Sequence, residues 1–151
     1  MRKERYKLEI GQTSKVFEFT SKGTQGLIKK RVLFLQIGND NVYNLAFGDV
    51  DEMTDEFDDL VVTNNGDTEK VLATVASTVY LFSKQYPDAV IYAKGSTPVR
   101  TRLYRMGISH NFEELTKLFN VLGLLDNSKW CVYEKNKNYS AFLIKRKRRK
   151  K

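Results

Sequence analysis

Apolar and polar residues alternate along the first third of the chain. Tyr6, Leu8 and Ile10 recur at every second position, the period of a half-buried strand. Val16-Phe17-Glu18-Phe19 repeats the pattern after the turn-forming Gly11-Gln12-Thr13-Ser14, which predicts a hairpin. A second turn cluster, Ser21 to Gly26, precedes the long run Leu27 to Ile37. Gly38-Asn39-Asp40-Asn41 then connects it tightly to a fourth strand, Val42 to Phe47. Consecutive strands with short links predict an antiparallel meander.

The period changes near residue 68. Val71, Leu72, Val75, Val79 and Phe82 fall on one face at helical spacing, with Ala73 and Ala76 keeping the neighbouring surface small. The pattern predicts a helix from Thr68 to Gln85, capped by Asp67 or Thr68 and stopped by Tyr86-Pro87-Asp88. Ala89 to Ala93 is apolar throughout, as a central strand buried on both faces would be. Thr97 reads as the cap of a second helix, with Pro98 at its first position and Val99, Leu103 and Met106 inward. A break is expected near Gly107-Ile108-Ser109. Asn111 with Glu114 then restarts the helix as a capping pair, Phe112, Leu115, Phe119 and Leu122 make its apolar stripe, and Gly123 ends it. Trp130 to Tyr133 and Tyr139 to Ile144 are expected to close the chain as a hairpin around Asn136-Lys137-Asn138. The fold class is α+β: a mostly antiparallel sheet, strand and helix order ββββ-α-β-α-ββ, with the helices packed on one face. We expect one domain over residues 1–144 and a basic tail over 145–151.

Composition changes this picture little. Of the 151 residues, 41% are apolar and 29% charged, the balance of an ordinary globular domain. No apolar run approaches the ~20 residues a membrane-spanning helix needs. No apolar stretch follows Met1-Arg2-Lys3, so no secretory signal is expected. Cys131 is the only cysteine, which excludes an internal disulfide and suits the cytoplasm. The net charge of +8 comes mainly from the end of the chain: Lys145 to Lys151 are all basic, and the rest carries about +1. Such a run is a solvated end or an arm for phosphate backbones. Asp49 to Asp59 holds seven carboxylates but lacks the glycine and the closing glutamate of a calcium loop. It reads as a solvated loop, with folding back on the basic tail or on the arginines below as the alternative, and no metal is expected.

The junction Ile91 to Arg105 concentrates the candidate chemistry. A strand there feeds a helix through Gly95-Ser96-Thr97, leaving backbone N–H groups that favour anions. Lys94, Ser96, Thr97, Arg100, Arg102, Tyr104 and Arg105 are the candidate anion-binding residues. Arg102 and Arg105 share a helix face, and Arg100 points elsewhere. The loop Thr63-Asn64-Asn65-Gly66-Asp67 also precedes a helix, but an Asp67 carboxylate would occupy the same amides as a cap. His110, the single histidine, has no nucleophile beside it in sequence and reads as a surface or capping group. Cys131 sits in an apolar strand and reads as core. Tyr104, Tyr133 and Tyr139 are types that stack on nucleic-acid bases, although aromatics in strands serve the sheet itself more often. No residue is assigned a catalytic role, and no cofactor is expected.

Six segments carry a resemblance: Asn44 to Asp49, Thr63 to Asp67, Lys70 to Val75, Tyr92 to Thr97, Arg100 to Arg105 and Asn138 to Phe142. Together they resemble a small bacterial family of unknown function, which brings no activity with it. The order of strands and helices also resembles the core of the acyl-CoA-dependent N-acetyltransferases without its early helices. That likeness implies a pyrophosphate loop before the first core helix, where this chain has Asn64-Asn65-Gly66-Asp67-Thr68. It also implies a tyrosine general acid on the second helix, where Tyr104 falls. The leading expectation is a non-enzymatic protein that contacts phosphate-bearing partners, nucleic acid among them, through Lys94–Arg105 and the tail. The rivals are a divergent acyltransferase and a structural or protein-interaction module, including one half of a homo-oligomer.

Overall fold

In a computed structural model of the protein, which describes residues 4–58 and 63–148, the four amino-terminal strands form the expected meander. β1 (Glu9–Ile10), β2 (Val16–Gly23), β3 (Gly26–Gln36) and β4 (Val42–Val50) pair antiparallel in chain order. Alternation selects the inner face: Phe17 and Phe19, Val32 and Phe34, then Tyr43, Leu45 and Phe47 are buried. β1 is shorter than its alternation predicts. Upstream of Glu9 the chain straps over the sheet edge instead, with Tyr6 stacked on Phe19 at 5.7 Å and its N–H donating to Thr74 Oγ1.

A two-residue strand β5 (Phe57–Asp58) pairs with the end of β4. α1 (Thr68–Gln85) then crosses to β6 (Val90–Ala93), which leads into α2 (Pro98–His110) and α3 (Phe112–Leu118). β7 (Phe119–Leu124), β8 (Trp130–Val132) and β9 (Ala141–Arg146) complete a sheet ordered β1-β2-β3-β4-β6-β9-β7-β8. Every pairing is antiparallel except β4 with β6. α1 buries the predicted stripe against the meander, and Phe82 stacks on Phe34 with ring centres 4.2 Å apart and meets Tyr43 edge-on at 5.0 Å. Such aromatic pairs add roughly 0.5–1.5 kcal/mol to the burial itself. β6 is central, but only Ile91 and Ala93 are buried; Val90 and Tyr92 are half-exposed, because the helices cover one face of the sheet rather than both.

The carboxy-terminal third departs most from the sequence reading. α2 runs through Gly107 to His110 and breaks at Asn111. Asn111 does not cap α3: its Nδ2 donates back to Gly107 O at 2.8 Å, and Glu114 pairs with Arg5. Helix α3 stops at Leu118, and Phe119 to Leu124 is a strand lodged between β8 and β9. Gly123 is required by packing, not by a helix end: a Cβ there would lie 2.3 Å from Tyr139 Cδ1. The closing hairpin joins β7 to β8, while β9 reaches past both to pair with β6 and β7.

Basic and acidic runs are likewise rearranged. Lys145 and Arg146 belong to β9, and the Arg146 guanidinium lies over Tyr80 and Phe119 and donates to Ser83 Oγ. Residues 149–151 of the expected tail lie outside the described residues. Asp49 lies within β4 and binds Lys30 Nζ at 2.6 Å, and Asp55 pairs with Arg31 and Lys29. Asp49 and Asp55 therefore answer cations of β3, while Asp51 accepts from the Met53 N–H; Asp59 lies outside the described span. Among the described residues no cluster of three His, Cys, Asp or Glu side chains is placed to hold a metal. No described helix is long and apolar enough to cross a membrane.

Candidate anion-binding cleft

The one parallel pair among the described strands positions the site. β4 and β6 run side by side through Val42–Asn44 and Val90–Tyr92. Each is followed by a connection and a helix, so α1 and α2 begin on the same side of the sheet. Where parallel strands are followed by helices, ligands bind outside the carboxyl ends of the strands. Here the first turns of both helices line a common cleft of about 590 Å³. Asn64, Asn65 and Thr68 form the α1 side; Thr97, Arg100 and Arg102 form the α2 side. Val71, Val99, Leu103 and Met106 make an apolar wall.

The turn into α2 follows the sequence closely. Thr97 Oγ1 accepts the Arg100 N–H at 3.2 Å, with Pro98 at the first helical position. Gly95 N–H donates to Thr101 Oγ1 at 3.0 Å, and a Cβ on Gly95 would lie 2.3 Å from Thr101 N. Only glycine allows so close an approach. This tight packing turns Arg100 inward. The residue is 4% exposed, its guanidinium carbon lies 5.9 Å from the centre of the Phe47 ring, and its buried Nε and Nη1 find no hydrogen-bond partner among the described residues. Removing a cation from water without a partner costs several kcal/mol. Lys30, also on the cleft wall and fully buried, differs: Asp49 and the Thr63 carbonyl at 3.2 Å satisfy it.

The start of α1 corrects the sequence reading. Asp67 occupies the cap position, yet its carboxylate makes no cap hydrogen bond. Its Oδ2 accepts from Tyr6 Oη and from Ser21 Oγ, both at 2.5 Å. Burial and this bond to Asp67 raise the Tyr6 pKa above the usual phenol value. Asn65, 1% exposed, rivets the loop in place: its Oδ1 accepts from Gln25 N–H, and its Nδ2 donates to Ser21 Oγ and Gly26 O. The first-turn amides of α1 thus begin beside a cleft without a side-chain cap.

The residues expected at the junction divide between two clefts and the core. Lys94, Ser96, Thr97, Arg102 and Arg105 line a second cleft of about 470 Å³, together with Asn138 and Tyr139. Thr97 and Arg102 belong to both clefts; Arg100 lines only the first. Tyr104 lies in neither: it is buried in the core with Phe47 and Ile108. His110 is half-buried, 3.7 Å from Glu69. Cys131 is half-buried on β8 rather than in the core. Tyr133 is fully packed among Phe112, Tyr139 and Phe142, and burial raises its pKa despite a bond to Ser109. The root of the basic tail sits at the other end of β6: Lys145 pairs with Val90, and Lys94 follows Ala93 at the far end of the strand. At about 3.3 Å per residue the two are ~13 Å apart along the sheet.

A family model matches residues 2–147, spanning both clefts and every strand and helix described above. The chain belongs to the family of unknown function DUF6934. No curated protein and no solved structure matches it. For this DUF6934 chain, the site must therefore be read from its own geometry. Sequence reasoning missed the contribution of Lys30, Asn65 and Thr68 to the cleft wall. For Asn65 and Thr68 the only local signal is the polar run Thr63 to Thr68 ahead of a helix, in which nothing shows which side chains face inward; Lys30 lies in strand β3 with no local signal at all.

Proposed function

We propose that this protein binds phosphate-bearing ligands, and that the cleft between the beginnings of α1 and α2 is its site. The observation that carries the reading is Arg100: a buried guanidinium with two unpartnered nitrogens, beside two helix N-termini whose dipoles favour negative charge. A phosphoryl group offers the charge and acceptor oxygens that this arrangement lacks. Lys94, Arg102 and Arg105, on the adjoining cleft, extend the cationic surface toward a longer partner such as nucleic acid, acting in the cytoplasm. Titration calorimetry with inorganic pyrophosphate and with a short oligonucleotide, at 50 and 200 mM salt, tests the proposal. Both ligands should bind. The oligonucleotide should weaken steeply with salt, and Arg102→Ala should weaken it further. If neither ligand binds at low salt, the reading is wrong.

One observation favours a second reading. The uncapped start of α1 stands where the acyl-CoA-dependent N-acetyltransferases carry their pyrophosphate loop. Against it, Tyr104 is in the core and the loop sequence departs from the pattern of that superfamily. A rise in melting temperature with acetyl-CoA that pyrophosphate does not reproduce would favour the acyltransferase.

A further inference from the structure

The carboxylate that ought to close the start of α1 is held away from it. Asp67 stands at the cap position of an 18-residue helix, and aspartate is among the best caps known. Yet its backbone has φ −123° and ψ 30°, not the extended conformation in which a cap side chain reaches the amides ahead of it. Two hydroxyls account for this. Ser21 comes from β2 and is fully buried; Tyr6 comes from the amino-terminal strap. Each is fixed in turn. Ser21 Oγ accepts from Asn65 Nδ2 at 3.0 Å. Tyr6 Oη accepts from the Lys22 N–H at 3.0 Å, and its ring is stacked on Phe19 under the Lys70 ammonium at 4.3 Å. The orphaned charge of Arg100 lines the same cleft as Asp67 and Thr68. A cleft with an unanswered cation on one wall and a displaced cap on the other is arranged for an anion from outside.

We infer that Tyr6 and Ser21 form a clamp that keeps Asp67 off the first-turn amides of α1, so that a phosphoryl group, bridging those amides and Arg100, takes the place of the cap. Releasing the clamp lets Asp67 rotate into the extended conformation, cap α1 and close the site. The amino-terminal strap then sets the affinity of a cleft it does not line. The ligand in this inference rests on the proposed function; the clamp itself rests on geometry alone.

The test compares wild type, Tyr6→Phe, which keeps the ring stack, and the double variant Tyr6→Phe/Ser21→Ala. Amide hydrogen exchange reads the ligand-free clamp, and calorimetry with inorganic pyrophosphate reads the site. The double variant should gain exchange protection at Thr68, Glu69 and Lys70. It should bind pyrophosphate about fivefold more weakly, the shift in equilibrium that one such cap commands. Tyr6→Phe alone should lie between it and wild type. Adding Asp67→Ala to the double variant should return the affinity and remove the added protection. Unchanged protection in a folded double variant overturns the clamp, whatever the binding data say. Increased protection together with no pyrophosphate binding by wild type supports the clamp and overturns the ligand, and with it the proposed function.

Discussion

Arg100→Met should make the protein more stable and worse at binding. Arg100 is 4% exposed, and among the described residues neither its Nε nor its Nη1 has a partner, so folding removes a cation from water with little in return. The favourable contacts that remain are the stem packing and the Phe47 ring at 5.9 Å, the latter worth about 1 kcal/mol. Methionine keeps much of the stem volume and carries no charge. Replacing buried ionic groups by apolar ones of similar shape gains about 1–4 kcal/mol in known cases. Less the ring contact, a net gain of about 0–3 kcal/mol is expected. For a chain of this size that corresponds to a rise of up to roughly 12 °C in melting temperature. The cap is unaffected, because Thr97 accepts from the backbone N–H of residue 100, not from its side chain. The same change removes a charge-assisted bond to the ligand worth about 1.5–3 kcal/mol, or roughly 10- to 150-fold in affinity. Differential scanning calorimetry and pyrophosphate titration measure the two effects on one preparation. A melting temperature below that of wild type would show that the guanidinium is satisfied in the free protein, and the case for an anion site would fall.

Other substitutions probe the frame around the cleft. Asn65→Ala removes a buried side chain with three hydrogen bonds and leaves the Gln25 N–H and Gly26 carbonyl without it; urea unfolding should show a loss of about 2–4 kcal/mol. Gly123→Ala drives a methyl into the Tyr139 ring and should cost about 1–3 kcal/mol by the same measurement. Stability should also fall in alkali. Burial, and for Tyr6 its bond to Asp67, raise the Tyr6 and Tyr133 pKa values, so the folded state keeps these protons to higher pH than the unfolded chain. The stability this confers is present below about pH 10 and is lost as pH rises through the folded-state values. Tyr6→Phe should flatten part of that decline between pH 9 and pH 11; an identical decline would show that Tyr6 is not linked to folding.

The local signals read correctly from the chain are those whose cause lies within a few residues. The alternation of Phe17, Phe19, Val32 and Phe34 marks the meander, because every second residue of a strand faces the same way. The stripe from Val71 to Phe82 marks α1 for the corresponding helical reason. Thr97 and Pro98 set the start of α2 because a cap and a fixed φ act on their own turn. The signals misread are those where a distant partner outbids a local one. Phe119 to Leu124 has the apolar density of a helix, but the open edges of β8 and β9 take its backbone as a strand. Asp67 has the chemistry of a cap, but Tyr6 and Ser21, 61 and 46 positions away, hold its carboxylate.

The candidate site divides the same way. The sequence by itself determined that cations and free amides gather where β6 becomes α2, and that Arg100 leaves that helix on a different face from Arg102 and Arg105. Only the tertiary structure decided that the start of α1 stands opposite, that Arg100 turns into the gap between the two helices, and that no described side chain answers its Nε and Nη1 there. The physical reason is the pairing of β4 with β6. These strands are separated in sequence by all of α1, and their parallel alignment, a long-range backbone contact, brings both helix N-termini to one side.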